Sequence, residues 1–93
     1  MEQAIEQAIR RIADMEACFD ALCAVADTPK LLREDAALRG SLEKLEDYYH
    51  GGQWLADYTL DEQGLLPPAL KRGVLSQDGV YDLLERIKEK GAV

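Results

Sequence analysis

Four ionisable residues near the middle of the chain have the types that could do chemistry: His50, Asp57, Asp61 and Glu62. Carboxylates beside an imidazole can hold a divalent cation or move protons. Their spacing fits no EF-hand loop, and no second cluster completes a ligand set. His50 is the sole histidine, and it falls where a helix should end, so a favourable interaction with the helix dipole accounts for it. Cys18 and Cys23 stand five residues apart on one helical stretch, turned about 140° from each other. That geometry excludes a bridge between them, and both read as small buried hydrophobes. No nucleophile elbow, paired-cysteine, zinc-protease or phosphate-loop pattern occurs. No catalytic residue, metal ligand or cofactor site is assigned. A small metal- or ligand-binding enzyme using the His50, Asp57, Asp61 and Glu62 region stands as the alternative reading.

The second kind of chemistry is recognition. Residues 48–58 hold the only tryptophan, the only histidine and three of the four tyrosines. Tryptophan and tyrosine anchor many protein interfaces. Tyr48, Trp54, Asp57 and Tyr58 are therefore the candidate partner-binding residues, acting through their exposed edges. The competing reading is structural: the rings wedge the C-terminal segment against a helical hairpin.

The elements that must position these residues are helical. Ala8, Ile12, Met15, Phe19, Leu22 and Ala26 recur at spacings of four, three, four, three and four, one apolar face of a long first helix. Asp27-Thr28-Pro29 breaks it, with Thr28 placed to cap a second helix and Pro29 suited to its first position. Leu31, Leu38, Leu42, Leu45 and Tyr49 carry that second helix to His50, with Asp35 interrupting the stripe. The short connection predicts an antiparallel hairpin. His50-Gly51 is a stop signal, with Gly51 expected in the left-handed conformation. A short helical segment is expected over 53–58, a capping-box spacing at Thr59–Glu62, and another short helix over 68–72. The last helix is expected to start at a Ser76 cap with Leu75 and Val80 as a hydrophobic staple, to bury Val80, Leu83, Leu84 and Ile87, and to end before Gly91. The fold class is all-α: one domain with a hairpin over 1–50, a turn-rich packing segment over 51–75 that folds back through Trp54, Tyr58, Leu65, Leu66 and Leu70, and a final amphipathic helix over 76–91.

Composition narrows the partners. The 93 residues carry a formal charge of −7, which opposes general binding to nucleic acid or anionic membrane. Residues 68–84 mimic a helix-turn-helix, but Asp78, Asp82 and Glu85 would face the phosphates. No apolar run approaches the length of a membrane span and no signal peptide is visible, so a cytoplasmic location is expected. Ile5, Ile9 and Leu32 lie off the main seam and offer a face for a homodimer.

The segment from Leu45 to Leu84 resembles a family of small uncharacterised bacterial proteins. The resemblance rests on Tyr48, Tyr49, Gly52, Trp54, Asp57, Tyr58, Asp61, Glu62, Gly64, Pro67, the run from Leu70 to Ser76, Asp78, Tyr81 and Leu84; Gly51 departs from the residue expected there. It implies a fold and no catalytic residues. The sequence therefore leads to a cytoplasmic protein-interaction module of unknown partner, self-association included.

Overall fold

The computed structural model describes residues 2–76 and 78–90. The elements are α1 (Glu2–Val25), α2 (Pro29–Glu34), α3 (Ala36–His50), α4 (Gln53–Glu62), a 3₁₀ turn (Gly73–Leu75) and α5 (Gly79–Glu89). No strand occurs among the described residues, and the fold is all-α. No helix among them is long and apolar enough to cross a membrane.

The stripe on α1 is the floor of the core. Ala8, Ile12, Leu22 and Ala26 are buried, and Met15 and Phe19 pack against the buried set. The second arm of the hairpin is not one helix, as expected, but two. Asp35 leaves helical geometry at φ −97° and ψ 111°. Its carboxylate accepts hydrogen bonds from the Ala37 and Leu38 amides at 2.9 and 3.2 Å, satisfying donors that the first turn of α3 leaves unpaired. A short acidic side chain competes well for such amides, so it starts a helix more readily than it continues one. Thr28, by contrast, makes no side-chain cap, although Pro29 opens α2 as expected.

The break turns α2 about its axis relative to α3. Leu32 is 1% exposed, whereas Leu31 is 49% exposed. This corrects two expectations. Leu31 does not belong to the seam, and Leu32 is not part of a free face with Ile5 and Ile9; Ile9 also packs against the core.

Gly51 stays right-handed at φ −84°, and the left-handed residue is Gly52 at φ 94°. The Gly51 amide closes the last turn of α3 on the Asp47 carbonyl at 2.8 Å. A β-carbon on Gly51 would stand 2.6 Å from that carbonyl oxygen. Gly52 then reverses the chain into α4 without the steric cost an L side chain would meet.

α4 runs through the expected capping box to Glu62. Thr59 therefore lies inside a helix, where its hydroxyl donates to the Leu55 carbonyl at 2.8 Å. The helix ends at Gly64, φ 73°. The Gly64 amide donates to the Asp61 carbonyl at 3.0 Å and the Leu65 amide to the Leu60 carbonyl at 3.1 Å, the paired bonds of a Schellman stop. No helix forms over 68–72. Pro67 and Pro68 lack amide donors, and Arg72 ties the loop instead, donating to the carbonyls of Pro67 and Leu70 and to Asp61.

The cap of α5 is Asp78, two residues later than expected, but Ser76 does accept the Gly79 amide on its hydroxyl at 3.1 Å. Leu75, Val80, Leu83, Leu84 and Ile87 are all buried, as the amphipathic pattern requires; with Asp78 as the cap, Leu75 and Val80 do not occupy the expected staple positions. The expected stop at Gly91 lies outside the described residues. Arg86 pairs with Asp27, fastening α5 to the end of α1.

Candidate functional site

Asp57 is 0% exposed and the only buried charged residue among those described. Burying a lone carboxylate is costly, so it must be compensated. Three hydrogen bonds do this. The Arg11 guanidinium donates through Nε to Oδ2 at 2.9 Å and through Nη2 to Oδ1. The Tyr48 hydroxyl donates to Oδ2 at 2.8 Å. The fork of two parallel bonds is the geometry in which guanidinium and carboxylate pair most strongly. The three residues come from α1, α3 and α4, so one carboxylate joins three helices.

The electrostatics follow from this contact. The hydrogen bond to Asp57 raises the Arg11 guanidinium further above its ordinary value, even though desolvation opposes it. Burial, reinforced by the bond to Asp57, pushes the Tyr48 hydroxyl well above 10.0. Tyr48 is thus a committed donor. With Arg11 charged and Tyr48 neutral, the arrangement is a satisfied ion pair rather than a proton relay.

Beside it lies an aromatic group. Trp54 and Tyr58, one turn apart on α4, stack with ring centroids 5.1 Å apart and planes 16° apart. Tyr49 meets Trp54 edge-on at 5.3 Å, and His50 meets Tyr49 at 5.2 Å. The Trp54 indole donates to the Val74 carbonyl at 2.8 Å, while the Val74 amide donates to Glu16 at 2.8 Å. Both main-chain polar groups of one residue, Val74, are held by side chains from α4 and α1. The C-terminal segment is therefore locked onto the hairpin at Val74, as the fold-back through Trp54 requires. Leu66 is buried and Leu70 packs against the core, but Leu65 is exposed.

The four candidate contact residues divide into pairs. Trp54 and Tyr58 are half-buried and keep exposed edges. Tyr48, 2% exposed, and Asp57 do not, which corrects the expectation that their edges face a partner. Their hydrogen bonds point inward, onto each other and Arg11. The His50, Asp57, Asp61 and Glu62 region is not assembled into one site. Asp57 faces Arg11, Asp61 faces Arg72, and His50 leans on Tyr49. Among the described residues no three His, Cys, Asp or Glu side chains are grouped to hold a metal ion. Cys18 is half-buried, but Cys23 is exposed, contrary to the buried reading; both are free thiols. Partial desolvation, then Asp20, pushes the Cys23 thiol up, away from the reactive thiolate.

Arg11 is the residue that sequence reasoning missed. A signal was present: Arg11 stands three residues after Ala8 and four before Met15, so it borders the apolar stripe of α1. Asp57 likewise falls three residues after Trp54 and three before Leu60. Opposite charges bordering two apolar faces are candidates for a buried pair, but the register of α1 against α4 decides which of them meet.

The fold and this arrangement define a small all-α domain built on a helical hairpin and locked by one buried ion pair. The chain belongs to the family described as a domain of unknown function, DUF4298, which it matches over residues 12–91. No curated protein matches it, and no solved structure does.

Proposed function

We propose that the chain is a small cytoplasmic protein-interaction module whose contact surface is the outer face of α4. The observation that supports this reading is Leu55, which is 61% exposed. It stands three residues before Tyr58, so the two side chains are neighbours on the helix surface. With the stacked edges of Trp54 and Tyr58 it makes an apolar patch on a helix whose opposite face is held by Arg11 and Tyr48 through Asp57. Rigid aromatic and aliphatic groups lose little entropy on binding and suit a hot spot. Tyr48 and Asp57 then serve recognition from beneath, by fixing the helix that carries the patch. The negative charge favours neutral or basic partners.

Affinity capture from the source cell with the wild-type chain and Leu55→Asp tests the reading. Leu55 is exposed, so the variant should melt at the wild-type temperature while losing the captured protein. A partner retained equally by both chains, or none enriched over a control bait, counts against the α4 surface.

A further inference from the structure

A groove of about 270 Å³ on α3 is lined by Arg39, Leu42, Glu43 and Glu46. Leu42 is 4% exposed and forms its floor, while Arg39 and Glu43 stand in solvent and Glu46 is half-buried. None of these three charged side chains has an ion-pair partner among the described residues. The groove therefore offers an apolar base flanked by two carboxylates, the environment that takes up an arginine side chain: the stem lies on Leu42 and the guanidinium reaches Glu43 and Glu46.

The arginine that fits is on the same helix. Arg39 and Glu46 are seven residues apart, two helical turns or about 10.5 Å. When two copies of α3 lie antiparallel across a two-fold axis between Leu42 and Glu43, Arg39 of each copy comes opposite Glu46 of the other. The charge pattern is complementary to itself under this operation, as an isologous interface requires. The reverse does not hold within one chain, because Arg39 and Glu46 are too far apart along the helix to pair.

From this we infer that α3 is a self-docking surface, on which a second copy of the chain packs antiparallel with two reciprocal Arg39–Glu46 pairs over Leu42. The inference deepens the interaction-module reading by naming one partner, and it does not use the α4 patch.

Light scattering and sedimentation on the full chain at tens of micromolar test it. The wild type should have the mass of a dimer. Arg39→Glu and Glu46→Arg should each weaken association about tenfold or more, since each reversal acts twice across the axis. An equimolar mixture of the two variants should recover the dimer, because the mixed pair again sets opposite charges face to face at both ends. A monomeric wild type, a variant that dimerises as well as the wild type, or a mixture of folded variants that stays monomeric would each overturn it. Arg39→Glu also loses a hydrogen bond from Arg39 to the Arg33 carbonyl; if that chain fails to fold, Glu46→Arg decides alone, by losing the dimer or keeping it. Leu55→Asp should leave the dimer mass unchanged, so failure of the α4 surface and failure of the α3 surface give different results.

Discussion

Arg11 and Asp57, forty-six residues apart in the chain, meet through two parallel N–H···O bonds, and the pair fastens α4 to α1. Arg11 is 26% exposed on its side chain and Asp57 is not exposed at all. The two partners therefore carry unequal risk: losing Asp57 leaves a cation that can reach water, whereas losing Arg11 strands a buried anion.

Arg11→Met should cost about 3–5 kcal/mol, the usual result of leaving one half of a buried pair uncompensated. A domain of this size has about 5–10 kcal/mol in total, so the variant should be partly unfolded at moderate urea. Equilibrium urea unfolding followed by circular dichroism measures this directly. Asp57→Asn should cost less than Arg11→Met, and the opposite order would mean that Arg11 is not what balances the carboxylate.

Tyr48 gives the molecule an alkaline limit. The unfolded chain releases the hydroxyl proton near 10.0, while the folded chain holds it to higher pH because the ring is buried and bonded to Asp57. Above that pH the native state binds more protons than the unfolded state, so stability falls as pH rises. Below it the contribution is complete. Tyr48→Phe should lose about 1.5–3 kcal/mol at neutral pH, as a hydrogen bond to a charged group is removed. Its unfolding free energy should then fall less steeply than that of the wild type above pH 10.

Gly64 holds α4 to its length through a left-handed residue. Gly64→Ala forces a β-carbon into that conformation at φ 73°, which costs about 1–2 kcal/mol. Thermal melting should register the loss, and hydrogen exchange at Leu65 should accelerate because its amide completes the Schellman pair.

Gly40 has the opposite expectation. A β-carbon there meets nothing within 4 Å, and the residue is inside α3 with ordinary helical neighbours. Gly40→Ala should stabilise the fold by up to about 1 kcal/mol through helix propensity. A melting temperature that falls would mean that the glycine serves a contact outside the single chain.

Much of the fold can be read from the chain, and the reasons are local. The stripe from Ala8 to Ala26 and the cluster from Val80 to Ile87 are periodic, and periodicity depends only on which residues are apolar. Pro29, Ser76 and the stop after His50 are equally local signals. The errors share one cause. Asp35 looked like an interruption within a helix because one polar residue can be tolerated on an apolar stripe; only the competition between its carboxylate and the Ala37 and Leu38 amides makes it a break. Thr59–Glu62 has the spacing of a helix start, but α4 has already begun at Gln53, and a running helix does not need a second cap.

The candidate site divides along the same line. Residue type alone marked 48–58 as the distinctive stretch and placed Trp54 where it would pin the C-terminal segment. Whether Tyr48 and Asp57 faced a partner or the interior could not follow from their own neighbourhood. That depended on Arg11, on a different helix, because a carboxylate is buried only where a cation is delivered to it. The sequence by itself determined the all-α class, the apolar faces of α1 and α5 and the stop after His50, all short-range properties. The tertiary structure alone decided that Asp57 is a joint between three helices, which leaves Leu55 and the edges of Trp54 and Tyr58 as the outward part of α4.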